Sequence, residues 1–558
     1  MFSGRLAWSR FVRITLPYLK STTRREALRL LAGLLGLLLA INAINVAISY
    51  VGRDFMTAFA DRAPDRLVKF GLVYLAVFAA ATVTAALARY VELLLGLRWR
   101  EWLTHRFCEQ YLTSQAYHRL NTLADVDNPD ERISDDVKTF TATTLSFLVM
   151  FTNSLIGIVA FVGVLWSITP WLLLAGVLYP LFGTSVIVAV GRRLVELNNQ
   201  QLKKEADFRF ELVQVRAHAE AIALDRAEAK QQQRLDERLA ALVANYFDIV
   251  RVIRNLQFVS NGYNYLNQLI PLFIVAPLYL RGEVEFGVVT QSAMAFSLVF
   301  NAFSLIAERF QDLSAFAAVV GRVGVLEEAL NATPEPSQRP IQVVESDAPV
   351  GWQQITLRAP QDDRVLVQDV NLDLPRGSQV LVTGQNTLGE FALFRATAGL
   401  WPQGQGRVQL PATRRVLFLP EQPYLIPGSL REQFVIFDQH PLTDERIREV
   451  LASVGLGEFV ERFGGLDTRH DWSAVLGLAE RQRLAFARFL LAQPDCAFLD
   501  RAASALCDAD RDALYRLLAA AGLTYVSVGD ASLGQFHLTQ LELRPDGSWV
   551  SGPIAAAP

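Results

Sequence analysis

The chain has 558 residues, of which 51% are hydrophobic, and a formal net charge of −3 at pH 7. This is about three to four domains' worth of chain, and it is too apolar for a soluble multidomain protein, so membrane segments are implied. The near-neutral charge argues against a nucleic-acid partner, and Cys108, Cys496 and Cys507 lack the spacing of a disulfide framework or a metal site.

Met1 to Lys20 mixes Arg5, Arg10, Arg13 and Lys20 with apolar residues, and the long apolar run begins only after Arg29. No small-residue cleavage site follows it, so it reads as an uncleaved first span. A spanning helix needs ~20 mostly apolar residues, and six stretches qualify, near 30–50, 68–88, 146–168, 171–190, 260–280 and 286–307. The basic N-terminus and the long segments 98–138 and 192–254 alternate with short connections at 168–170 and 281–285, which places the long segments and both chain ends in the cytoplasm. Glu205 to Ala244 is rich in good helix formers and free of Pro and Gly, so the membrane helices are expected to continue beyond the bilayer. Asp127-Asn-Pro-Asp130 breaks the first extension with turn chemistry, either as a docking tip or as the end of a solvated hairpin.

Residues 331–349 are rich in Pro, Ser, Thr, Gln and acids and read as a linker between a membrane domain, 1–330, and a second domain, 350–558. In the second domain short β-branched runs (365–367, 380–382, 416–419, 497–499 and 525–528) alternate with helical patterns, which predicts an α/β domain with a largely parallel sheet. Within it, Val380-Leu-Val382 precedes Gly384-Gln-Asn-Thr-Leu-Gly389-Glu390-Phe391, and a helical pattern follows. The order is that of a phosphate-binding loop, G-x-x-x-x-G-K-[S/T], whose lysine holds the terminal phosphates and whose hydroxyl ligates Mg²⁺. Both glycines are present, but Glu390 replaces the lysine and Phe391 the hydroxyl, so a carboxylate faces any polyphosphate.

Further along stand Ala398-Gly-Leu-Trp-Pro402, Phe418-Leu-Pro420, Gly428-Ser-Leu-Arg-Glu-Gln433, Gln482-Arg-Leu-Ala-Phe-Ala-Arg488, Phe498-Leu-Asp500 and Ser504-Ala-Leu506, and in the membrane half Arg53-Asp54-Phe55, Arg98-Trp-Arg-Glu-Trp-Leu103 and Asp127 to Ile133. Over nearly its whole length the chain resembles half of an ABC transporter, and more narrowly the SbmA/BacA-like and YddA-type group related to the peroxisomal D-type transporters. The resemblance implies a six-span helical membrane domain followed by an α/β nucleotide-binding-like domain, working as a dimer in which each ATP lies between the phosphate loop of one half and the signature segment of the other. Against that pattern Asp500 keeps the metal-side carboxylate, but Arg501 stands where the water-polarising Glu belongs, and Arg does not accept a proton. Glu421 takes the place of a metal-contacting Gln and Asp530 that of a switch His, and the signature Leu476-Gly477-Leu478-Ala479-Glu480 has lost its Ser and one glycine.

The expectation is a domain that folds without working as an ATPase, with no cofactor and ATP·Mg²⁺ bound weakly if at all. The chain is then a transporter half working as a homodimer and moving a hydrophilic or peptide-like solute; with no competent ATP site in a homodimer, an ion gradient is the more economical energy source, as the SbmA/BacA resemblance also suggests because those relatives lack the ATPase domain. Its rivals are the inactive half of an ATP-driven heterodimer and a membrane scaffold that transports nothing. Polar residues in the spans are the coupling candidates: Glu308 at the inner end of the sixth, Asn42 and Asn45 one turn apart in the first, and Asn264, Asn267 and Asn301, each with interhelical hydrogen bonding as the plain alternative.

Overall fold

The computed structural model describes residues 2–113, 116–122, 127–332, 341–346, 349–401, 403–413, 415–434 and 442–554, and the chain divides into two units, Met1–Thr333 and Pro334–Pro558. The described part of the first unit is helical: α1 (Phe2–Lys20), α2 (Arg24–Ala60), α3 (Pro64–Leu112), α4 (Ala116–Thr122), α5 (Pro129–Glu131), a π-helical turn at Arg132–Asp136, α6 (Val137–Ile168), α7 (Pro170–Ala217), α8 (Ala219–Asp225), α9 (Glu228–Leu280), α10 (Phe286–Glu308) and α11 (Phe310–Asn331). The six apolar stretches fall one each in α2, α3, α6, α7, α9 and α10. Among the described residues four helices are long and apolar enough to cross a membrane, Arg24–Ala60, Pro64–Leu112, Pro129–Ile168 and Phe286–Leu305. The apolar end of α9 is interrupted by Asn261, Asn264, Asn267, Gln268 and two prolines, and in α7 the described apolar segment is Pro170–Gly183.

Helices α3, α7 and α9 run to 49, 48 and 53 residues, more than twice the ~20 that a bilayer requires, so the expected extensions are present. Where α3 and α11 leave the apolar zone, buried aromatics and ion pairs replace lipid as the packing partner. Ile14, Tyr18, Trp99, Leu103, Phe107 and Phe140 share one core, with Tyr18 stacked on Trp99 at 5.7 Å. Beside it Glu327, only 2% exposed, accepts from Arg13 at 2.7 Å and faces Arg106 at 3.5 Å. Glu328 takes Arg10 and the second arm of Arg13. Asp136, in the π-helical turn, holds Arg322 of α11 through both oxygens.

The second unit contains strands β1 (Ile341–Ser346), β2 (Val350–Arg358), β3 (Val365–Leu374), β4 (Gln379–Gly384), β5 (Gly404–Pro411), β6 (Val416–Leu419), β7 (Gly428–Ser429), β8 (Arg469–His470), β9 (Cys496–Asp500), β10 (Thr524–Val528), β11 (Thr539–Leu543) and β12 (Trp549–Pro553). Its helices are α12 (Thr387–Thr397), α13 (Asp444–Ser453), α14 (Phe459–Arg462), α15 (Trp472–Val475), α16 (Leu478–Ala492) and α17 (Asp508–Ala520). The main sheet has the order β12-β11-β4-β10-β9-β6 and is parallel except for β12. Its apolar strands are buried on both faces, as parallel strands require. A second sheet, β1-β5-β2-β3, mixes parallel and antiparallel pairs. It corrects the expected linker: α11 reaches Asn331, and Ile341–Ser346 pairs in parallel with β5. That strand is half-exposed with little alternation, so its pattern did not stand out from a polar connection.

Candidate functional site

The loop 384–391 leaves the carboxyl end of β4, with the carboxyl end of β9 one strand away across β10, where an α/β sheet offers its ligand crevice. Gly384 closes β4 with a φ of +151°, and a Cβ there would stand 2.0 Å from the Leu543 carbonyl oxygen of β11. Gly384→Ala is therefore expected to force β4 and β11 apart and to lower the stability of the full chain by about 3 kcal/mol, the upper range for one substitution, read as a lower Tm. Asn386 then caps α12: its Oδ1 accepts from the Gly389 N–H at 2.9 Å, while its Nδ2 donates to the Leu366 carbonyl at 2.7 Å. One of the N–H groups that would face a phosphate is thus satisfied within the loop.

Glu390, in the first turn of α12, is buried, and its Oε2 accepts from Arg501 Nη2 at 2.9 Å. Arg501 follows β9 with a left-handed φ of 45°, a conformation that costs a non-glycine residue about 1–2 kcal/mol, and its N–H donates to the Val528 carbonyl at 3.0 Å. The two charges that reverse the family pattern satisfy each other. Burial nevertheless pushes the Glu390 carboxyl up to about 7, with Arg501 opposing and Asp500 adding to the rise. Burial also raises Asp500, against the pull of Arg501 and Arg395 and with help from Glu421. Phe391 has left hydroxyl chemistry for packing: the Arg395 guanidinium lies 3.9 Å from its ring centroid and Trp401 meets it edge-on.

Glu421 is exposed, and its backbone carbonyl accepts from Gln482 Nε2 at 2.9 Å. Gln482 is wholly buried; it also donates to Ser504 Oγ and accepts from the Ala505 N–H, so it ties the signature helix to the loops after β6 and β9. Asp530 caps the 3₁₀ turn Ala531–Phe536 through Ser532, and that hydroxyl holds its carboxyl below the usual range. In the signature, Leu476 is buried, Leu478, Ala479 and Glu480 are half-buried, and Gly477 is exposed ahead of α16. Glu480 accepts from the Gly477 N–H at 3.2 Å and pairs with Arg462 at 2.5 Å. A Cβ at Gly477 meets nothing within 4 Å, so the missing serine is a loss of chemistry without a steric cause.

In the first unit, Asn42 Nδ2 donates to Asn153 Oδ1 at 2.8 Å and to the Leu38 carbonyl at 2.9 Å, joining α2 to α6. Asn267 Nδ2 reaches Ser297 Oγ at 3.2 Å, joining α9 to α10. Asn45 is half-buried, and Asn264 and Asn301 are exposed on the surface of the half. Glu308 is the last residue of α10; its side chain is outside those described.

Known proteins match this architecture at both levels. The family model described as ABC transporter transmembrane region 2 matches residues 13–280, and the one described as ABC transporter matches residues 367–504. An uncharacterised ABC transporter ATP-binding protein of Synechocystis is 37% identical over 94% of this chain and 81% of its own length. The chain belongs to the ABC transporter family. ABC transporter D family member 2, chloroplastic, of Arabidopsis thaliana is 34% identical over 96% of this chain and 86% of that protein, and the inner membrane ABC transporter ATP-binding protein YddA of Escherichia coli is 26% identical over 92% and 93%. A bacterial Atm1-family ABC exporter with ATP bound shares the fold, with a TM-score of 0.74 over 95% of each chain at 14% identity. The protein is thus an ABC half-transporter related to the D-type and YddA-type proteins, and such halves function as dimers in membranes. For an ABC half, the informative residues that sequence reading passed over are Asn386, Arg395 and Gln482. Asn386 had a signal, an Asn directly before a helical pattern, which is a preferred N-cap.

Proposed function

We propose that this ABC half-transporter moves a hydrophilic or peptide-like solute as a homodimer, does not hydrolyse ATP at its own phosphate loop, and draws on a proton gradient. The observation that carries the reading is the 2.9 Å pair between Glu390 and Arg501. Phosphoryl transfer asks the protein for cationic stabilisation of the phosphates, a metal ligand and a group that positions water. Glu390 supplies the wrong sign at the first position, Phe391 supplies no ligand at the second, and Arg501 is consumed by Glu390 in place of the third. ATP·Mg²⁺ does not fit these residues: admitting it would separate the pair and leave a buried carboxylate against polyphosphate. No step of the transport cycle is therefore routed through ATP at this loop. The basic residues of the long connections support a cytoplasmic second unit, and the SbmA/BacA resemblance supports gradient coupling.

Reconstitution of the full chain, with ATP and the pH gradient varied independently, tests the reading. Flux is expected to follow the pH step, with ATP turnover at background in the wild type and in Glu390→Lys alone. Glu308→Gln keeps the shape of the side chain and removes its titration, so it is expected to abolish most of the pH-driven component. ATP-driven flux without a pH step overturns the mechanism; an undiminished pH response in Glu308→Gln overturns only the assignment of that residue.

A second reading is favoured by one observation, the intact Gln482 frame behind an uncrowded Gly477. Such a helix is still presented as a surface, and an intact half could use it to close its own ATP site. Co-purification with an intact family member, and ATPase activity of that pair alone, would select the heterodimer.

A further inference from the structure

We propose that a groove between α3, α6 and α11 holds the phosphate headgroup of an anionic phospholipid from the cytoplasmic leaflet, with an acyl chain on its apolar wall. The groove measures about 610 Å³ and lies wholly within the first unit. Four cations line it, Arg89, Arg100, Lys138 and Arg309, against two acids. Both acids are already engaged by their own helix neighbours, Glu92 by Arg89 at 2.8 Å and Asp312 by Arg309 at 3.0 Å. Among the described residues Arg100 and Lys138 have no carboxylate within ion-pair reach. The groove therefore carries two uncompensated positive charges.

Their placement selects the ligand. A Cβ at Gly96 would touch Leu145 at 3.4 Å, which sets the register of the antiparallel α3 and α6 and puts Arg100 and Lys138 together at the end of the groove remote from the apolar spans. Toward the spans the wall carries Leu97, Leu93, Phe147 and Met150, with the mutually paired Arg89 and Glu92 beyond Leu93 on α3, and Leu93 and Leu97 are 57% and 59% exposed. A free phosphate would use the two cations and leave that wall in water. An anionic lipid uses both, with its headgroup at the cations and its chain running back along α3 into the bilayer, and basic pockets between spans on the cytoplasmic side are where such headgroups bind. The leaflet named here rests on the proposed orientation of the half, whereas the binding chemistry does not.

The test uses the full chain in neutral detergent, titrated with dioleoyl phosphatidylglycerol, with dioleoyl phosphatidylcholine or with inorganic phosphate, and bound lipid is counted by native mass spectrometry. Phosphatidylglycerol is expected to bind at one site per half and to raise Tm, while phosphatidylcholine does neither. Arg100→Gln with Lys138→Gln is expected to weaken that binding about 10- to 30-fold. Ser146→Trp keeps both cations but fills the groove from an exposed position, so it is expected to lose the lipid as well and serves if the double variant does not fold. Unchanged affinity in these variants overturns the proposal. So does an equal Tm rise with inorganic phosphate alone, or cross-linking that places a second copy's helix in the groove whatever the lipid. The assay reads neither transport nor ATPase activity, so its failure is separate from failure of the proposed function.

Discussion

Glu390→Lys and Arg501→Glu are each expected to destabilise the phosphate loop as single substitutions and to restore it when combined. The single reversals set like charges about 3 Å apart at a site where Glu390 is buried, and breaking a buried pair costs about 3–5 kcal/mol. Arg501 has a 36% exposed side chain and can turn to water, so about 3 kcal/mol is the expected loss for Glu390→Lys. Arg501→Glu should lose at least as much, because both carboxylates would then sit beside Asp500. The double variant remakes the pair with its sense reversed, a positive coupling that a double-mutant cycle reads directly. Hydrogen exchange over residues 384–391 in the full chain localises the effect, and equal protection in all four proteins would show that the pair contributes nothing.

Burial of the Glu390 carboxyl sets a pH dependence, which Arg501 opposes. Glu390 titrates near 7 in the folded chain and near its ordinary 4.5 when unfolded. Between those values the folded state binds the extra proton, so stability from this group is greatest below 4.5 and is lost as pH rises to about 7. Protection of the loop is accordingly expected to fall from pH 5 to pH 7.5 in the wild type, and Glu390→Gln should remove that component.

The second large effect is expected at Glu327. Glu327→Ala leaves Arg106, whose side chain is 24% exposed, without its acid, and it leaves Arg13 only Glu328. The loss is about 3 kcal/mol, and it should appear as release of α1 from α11, because Arg13 ties those helices together through Glu327 and Glu328. Proteolysis within Phe2–Lys20 and a lowered Tm would report it. Glu327→Gln keeps an acceptor and should lose less; if Ala and Gln behave alike, packing and not charge holds the helix.

How far the sequence could be read follows from how local each signal is. The apolar stretches, the β-branched strands of the parallel sheet and the two glycines of the loop are local, and all appear where their patterns put them. The span in α9 is the least plain of the six, because polar residues and prolines interrupt its apolar run. The mixed sheet was harder still: β2 carries register shifts against β3 and β5 that break the period-two pattern, and β1 lies in a stretch with a linker's composition. Glu390 and Arg501 are 111 residues apart, and each was read against an absent phosphate instead of against the other. Two reversals of opposite sign at positions that face one ligand are a single exchange, which is the signal that was there to use. The same distance hid the partner of Asn42, which is Asn153.

Strand order has a consequence for how the chain is made. β4 lies between β10 and β11, and Thr383 is hydrogen-bonded to Gln540, 157 residues later. At about 5–20 residues per second of synthesis, β4 waits roughly 8–30 s on the ribosome before its last neighbour emerges. During that interval an apolar strand meant for burial on both edges and both faces has an open edge, the kind of template that recruits other chains. A message that ends before Thr539 makes that state permanent, so nonsense mutations far downstream of the phosphate loop would yield a membrane-inserted product tethered to an aggregating tail.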